Sequence, residues 1–193
     1  MLDNEREKLY AAESEYLNIG ITADGARCKG ISVPWVKTAR AFNMRRPHVY
    51  IAPEDLHDAE LMDKIRSFRV QGCYVFCPLE EYGFLAGFKD LTDIYLANAV
   101  NLKDLSFLES LQAWKMLNVE NASLPDLAPI PRSLQNSEFR LVCLSFACCA
   151  VEDVSALRGM RNIDELIIIG KDDDSERAKW EQISADTRRY YKV

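Results

Sequence analysis

Long apolar runs are missing from this chain. The longest nearly unbroken one, LVCLSFACCAV at 141–151, is about half of the roughly 20 residues that cross a bilayer, so no membrane span is expected. The opening MLDNEREKLY mixes charges of both signs and has no apolar segment of the secretory kind, and the expectation is a cytoplasmic protein. Basic clusters are equally scarce: Arg45-Arg46 is the densest, and the formal net charge is −6. Phosphate backbones and anionic lipids need cationic neutralisation, so neither nucleic acid nor membrane is expected as a partner. Six cysteines in 193 residues fall short of a disulfide scaffold, and free thiols in a reducing compartment are expected. The sequence contains no Gly-rich phosphate loop, no H-E-x-x-H and no G-x-S-x-G, and it has two histidines, His48 and His57. None of these features points to a catalytic centre, and no cofactor or metal is expected. The chain is nevertheless 48% hydrophobic and 28% charged, which suits one compact domain with its own core rather than a disordered chain.

What the sequence does have is a period. With offset 0 as the first apolar residue of a unit, Leu91, Ile94 and Leu96 fall at offsets 0, 3 and 5. The same triplet recurs as Val70, Cys73, Val75; as Trp114, Leu117, Val119; as Leu141, Leu144, Phe146; and as Ile163, Leu166, Ile168. Successive units start 21, 23, 27 and 22 residues apart. Offsets 3 and 5 lie two apart and share one face of a short strand. The runs Leu102, Leu105, Leu108, Leu111 and Val151, Val154, Leu157, Met160 then step by three, as a 3₁₀ or α turn requires. Each unit reads as one strand plus one returning arc. None buries its apolar face alone, so the units are expected to stack with their strands in a parallel sheet. The 27-residue interval contains APIPRSLQNSEF, where Pro129 and Pro131 predict an inserted loop. A weaker unit precedes these, with Val49 and Ile51 at offsets 3 and 5, followed by a helix over 54–68 carrying Leu61, Ile65 and Phe68 on one face.

These units resemble the leucine-rich-repeat family, with its L-x-x-L-x-L-x-x-N-x-L pattern. VEDVSALRGMRNIDELIII and LKDLSFLESLQAWKMLNV are most similar to its short, 22-residue internalin-type repeats. The resemblance covers about 70–170 and implies an α/β fold: a right-handed leucine-rich-repeat solenoid with the parallel sheet on its concave face and helical caps. The family's asparagine at offset 8 is absent; Pro78, Ala99, Ala122, Cys149 and Lys171 stand there. The bends must therefore find other hydrogen-bond partners.

Repeats leave a core edge at each end. Residues 1–45 read as an N-terminal cap or small α/β element, with a polar helix over 3–16, two short strands around Asp24-Gly25, and a helix after Pro34 carrying Trp35, Ala39 and Phe42. Residues 46–170 read as the repeats. Residues 171–193 read as a capping helix in which Asp173 and Glu176 resemble a capping box and Trp180, Ile183, Thr187 and Tyr190 follow at helical spacing. Asp172-Asp173-Asp174 reads as the acidic start of that helix rather than a cation site.

The candidate exposed strand positions are offsets 1, 2, 4, 6 and 7, of which offset 4 is the most informative because it lies between two inward positions. Offset 4 holds Tyr50, Tyr74, Tyr95, Asn118, Ser145 and Ile167, a tyrosine ladder at its N-terminal end. The candidate partner-binding residues are Tyr50, Tyr74, Phe76, Asp93, Tyr95, Met116, Asn118 and Glu120. Tyrosine suits an interface because it combines large apolar area, few rotamers and a hydroxyl. A ladder that merely stabilises the sheet is the competing reading. The resemblance implies a non-enzymatic module that recognises another protein on the concave face, with an inhibitor or immunity-type protein as one version; a homo-oligomer is a further arrangement. The alternative is a thiol- or metal-dependent enzyme built on Cys73, Cys77, Cys143, Cys148 and Cys149. Against it, the two cysteine pairs lie three strands apart, about 15 Å, too far for one zinc ion or a disulfide.

Overall fold

The computed structural model describes residues 20–21, 27–28, 48–51, 53–67, 70–135, 141–170, 174–183 and 188–192. Two short strands, β1 (Gly20–Ile21) and β2 (Arg27–Cys28), pair antiparallel around the Asp24-Gly25 position. The helices expected at 3–16 and after Pro34 lie outside the described residues. The fold is α/β, and its main element is a parallel sheet. Its strands are β3 (His48–Ile51), β4 (Gly72–Val75), β5 (Asp93–Leu96), β6 (Met116–Glu120), β8 (Val142–Ala147), β10 (Ile163–Ile169) and β11 (Arg188–Lys192), each hydrogen-bonded to its neighbours in that order. Two further strands, β7 (Ser123–Asp126) and β9 (Ala150–Asp153), pair in parallel as a separate small sheet.

The period-2 pattern sets the register. Val49, Cys73, Ile94, Leu117, Leu144 and Leu166 pair in sequence along one row, and Ile51, Val75, Leu96, Val119, Phe146 and Ile168 along the next. All twelve are buried except Ile168, which is partly buried against the core. A one-residue slip would turn every one of them outward, so burial of one face fixes the pairing. The weak unit at 46–69 thus contributes a strand in register with the rest.

The returning arcs follow the three-residue step. Leu102, Leu105, Leu108 and Leu111 are all buried around the 3₁₀ helix Ser106–Ser110; Val151, Val154 and Leu157 are buried around Ser155–Leu157, with Met160 packed beside them. Carboxylates start these turns. Asp104 Oδ1 accepts from Ser106 N at 2.7 Å, Asp126 Oδ1 from Ala128 N at 2.7 Å and Asp153 Oδ1 from Ser155 N at 2.7 Å. An aspartate here satisfies a backbone donor that the tight turn leaves unpaired. Hydrogen bonds from Ser106 hold the Asp104 carboxyl below the ordinary carboxylate range, and those from Ser155 do the same for Asp153.

The bends after the strands reverse the backbone at offset 7. Asn98, Asn121 and Cys148, all at offset 7, have φ of 57°, 61° and 52°, and Gly170 at the same offset has φ 150°. Asparagine and glycine tolerate this left-handed region best. The reversed backbone then reaches the next rung: Asn121 N donates to Ala147 O at 2.9 Å, and Cys148 N donates to Ile169 O at 2.6 Å. Thiols supply the side-chain donors. Cys149 Sγ donates to Val119 O at 3.3 Å, and Cys77 Sγ donates to Ile51 O at 3.6 Å. Both acceptors are the offset-5 carbonyl of the preceding rung.

Four expectations are corrected. Leu141 is 59% exposed and the buried start of its unit is Val142, which pairs with Ile163; a bulge at Asp164 absorbs the extra residue. The segment with Pro129 and Pro131 is not a loop but a short helix, Pro129–Ser133, which buries Pro129 and Ile130. Proline in the first helical turn loses no intrahelical hydrogen bond. The helix expected over 54–68 is a 3₁₀ helix, Pro53–His57, followed by an α-helix, Ala59–Ser67; Met62 and Ile65 are buried, while the side chains of Leu61 and Phe68 lie outside the description. The capping helix ends at Glu181 instead of running on through Tyr190, and 188–192 forms strand β11 beside β10. Tyrosine favours strands, and pairing with β10 satisfies backbone groups that an added helical turn would not. The helix Asp174–Glu181 still covers the core. Trp180 is buried and stacks on Phe146, ring centroids 5.5 Å apart, and Ile183 is buried behind it. Lys179 Nζ fastens the helix to Val151 O at 2.7 Å.

Candidate functional site

The strand register carries the candidate face. Opposite the buried rows, offset 4 runs Tyr50, Tyr74, Tyr95, Asn118, Ser145, Ile167, each directly beside the next. Offset 2 runs His48, Gly72, Asp93, Met116, Cys143, Glu165 in the same manner. Phe76 and Glu120 stand at offset 6, just past the strand centres. The structure therefore gathers Tyr74, Phe76, Asp93, Tyr95, Met116, Asn118 and Glu120 on one surface, all half-buried. Tyr50 takes its place by backbone register; its side chain lies outside the description.

The centre of this surface is ordered by specific contacts. The Tyr74 and Tyr95 rings are coplanar within 4°, with centroids 4.0 Å apart. That spacing is close to the distance between neighbouring strands, so the sheet itself sets the stack. The Tyr95 hydroxyl donates to Met116 Sδ at 2.8 Å on the next strand. Burial pushes the Tyr95 phenol above its ordinary range, opposed by a hydrogen bond with Tyr74. On the far side of Tyr95, Asn118 Nδ2 donates to Glu120 Oε1 at 3.2 Å. Asn118 Oδ1 is shielded from solvent and has no hydrogen-bond partner among the described residues. An unpaired amide oxygen is an acceptor in waiting.

Sequence reasoning missed the last strand of the face. The pairing sets Arg188 beside Glu165, Tyr190 beside Ile167 and Lys192 beside Ile169, which extends all three rows by one rung. The adjacent tyrosines of RRYYK are a strand signal that the helical spacing of Trp180 and Ile183 masked. A cleft of about 490 Å³ between the helix Ala59–Ser67 and the segment 79–84 is lined by Leu56, Met62, Arg66, Leu79, Glu81 and Phe84 among others, and none of the candidate face residues borders it.

The cysteines do not converge. Cys73 sits on β4 and Cys143 on β8, with β5 and β6 between. Cys73 is fully buried in the core, and burial pushes its thiol far up; burial likewise raises Cys149 to about 11. The five described cysteines are free, and no group of three or more His, Cys, Asp or Glu side chains among the described residues is placed to hold a metal ion. His57 is exposed at the end of a 3₁₀ helix. Among the described residues no helix is long and apolar enough to cross a membrane. No protein-family model matches the chain, and no curated protein matches it in sequence.

Proposed function

We propose that this chain is a right-handed leucine-rich-repeat solenoid acting in the cytoplasm as a non-enzymatic binding module. On this reading it recognises a partner protein on the sheet face spanning β4 to β6, and inhibition of that partner is the most concrete version. The in-register strands and their equivalent bends support the repeat reading. The free thiols support a reducing compartment. The observation that carries the binding reading is the Tyr74–Tyr95 stack with Met116 and Asn118 beside it: preorganised aromatic area next to hydrogen-bonding groups is what interface hot spots are made of.

The test is capture from native lysate with the wild-type chain and with the Tyr74→Ala/Tyr95→Ala double variant, after thermal melts show that both are folded. Retention of one protein in a fixed ratio by the wild type, and its loss with the double variant, is the expected result. Equal capture by both moves binding off this face.

A further inference from the structure

Deepening the proposed reading, and resting on it, the chemistry of the face selects a kind of partner. Across β4 to β10 the rows at offsets 2, 4 and 6 hold three charged residues, Asp93, Glu120 and Glu165, all carboxylates; the cations stand at the margins, Lys115 at offset 1 and Arg188 and Lys192 on β11. The side-chain atoms around Asn118 are equally one-sided. Its own Oδ1 is an acceptor without a donor, its Nδ2 is already committed to Glu120, and the Tyr95 hydroxyl is committed to Met116 Sδ. What remains to offer a ligand is mainly oxygen acceptors and the π faces of a fixed tyrosine pair, with one Asn118 N–H and the Ser145 hydroxyl beside them.

A guanidinium group answers both features. It carries five N–H donors and no acceptor, it is planar and weakly hydrated, and it stacks on aromatic rings. A phosphate-bearing ligand is disfavoured by the same carboxylates. Asn118 Oδ1 is shielded as it stands, so donation to it requires the side chain to turn. We infer that the occupant of this face is a basic segment of a partner protein, with an arginine laid against the Tyr74–Tyr95 pair and donating to Asn118 Oδ1 and the Glu120 carboxylate.

The probe is a capped hexa-arginine peptide titrated into the isotope-labelled full chain, with hexa-lysine as the equal-charge comparison. Backbone shifts concentrated at Tyr74, Tyr95, Asn118 and Glu120 are expected, with the arginine peptide at least about three-fold tighter than the lysine peptide through stacking. Glu120→Gln should weaken the arginine peptide by about five-fold, as loss of a charge-assisted hydrogen bond does, while Glu152→Gln, which removes an exposed carboxylate from β9, should leave it nearly unchanged. Shifts spread over the whole surface, equal affinity of the two peptides, or equal losses in the two variants would overturn the inference. The two readings fail separately. If the peptide leaves the face unperturbed while the tyrosine double variant still loses the protein captured by the wild type, the basic partner is wrong and the face stands. If the double variant loses nothing either, both fall.

Discussion

Tyr74 and Tyr95 lie face to face on adjacent strands, 4.0 Å between ring centroids and 4° from parallel. Neither ring belongs to the buried core, which lies on the other side of β4 and β5. Replacing either with alanine should therefore leave the fold in place and weaken partner binding by more than about 1 kcal/mol each. Titration calorimetry against the captured partner, with circular dichroism as the folding control, measures both. Unchanged affinity in both variants relocates the site.

Leu144 and Leu141 are three residues apart and lie in opposite environments. Leu144 is buried at the middle of β8, and Leu144→Ala should destabilise by about 2–5 kcal/mol. Leu141 is exposed, and Leu141→Ser should change stability by no more than about 0.5 kcal/mol. Urea unfolding of the two variants checks the corrected start of this unit. A large loss at Leu141 would restore the original register.

The left-handed bends give a signature of their own. Asn121 has φ 61°, so Asn121→Ala should cost about 1–2 kcal/mol, whereas Asn121→Gly should cost much less, because glycine has no Cβ to clash in that region. The order of the two midpoints in denaturant is the test; alanine at or above glycine contradicts the bend geometry.

Alkaline pH should unfold the protein in a defined window. Burial holds the Cys149 thiol at about 11 against an ordinary 9.0 and the Tyr82 phenol at about 12 against 10.0, and raises Cys73 as well. The native state keeps these protons longer than the unfolded chain does, so unfolding releases protons above pH 9 and stability falls as pH rises. Denaturation midpoints in reductant should be flat below pH 9 and decline through pH 11 to 12. Midpoints that stay level across that range would show the groups to be solvated.

The terminal helix is anchored chiefly by one ring. Trp180 is buried on Phe146, and Trp180→Ala should cost about 3–5 kcal/mol, read from denaturant midpoints by circular dichroism. A marginal change would mean that the helix contributes little to closing the core.

Much of this architecture was readable because its signal is short-range. Two apolar residues spaced by two, followed by steps of three, specify a strand and an arc without any knowledge of the neighbours; Ile94, Leu117 and Leu144 end up side by side for that reason. What escaped reading depends on distant contacts or single-residue shifts. β11 exists because β10 offers an unpaired edge, and Tyr190 fits a helical period just as well when read alone. The displaced start at Val142 comes from one extra residue that a bulge absorbs. Asn98 and Asn121 perform the reversal at offset 7, which rests on backbone conformation rather than on the apolar spacing. On the candidate face the residues were legible from their offsets. The coplanar stack, the hydroxyl–thioether contact and the orphaned amide oxygen were not, because they depend on rotamers rather than on order along the chain.

The sequential strand order has a mechanical consequence. In the large sheet each strand bonds only to the strands before and after it, so a force applied at the two termini is borne by one pair of strands at a time. Stretched between a cantilever and a surface, the chain should pay out in a series of small steps of roughly two dozen residues each rather than rupture in one event.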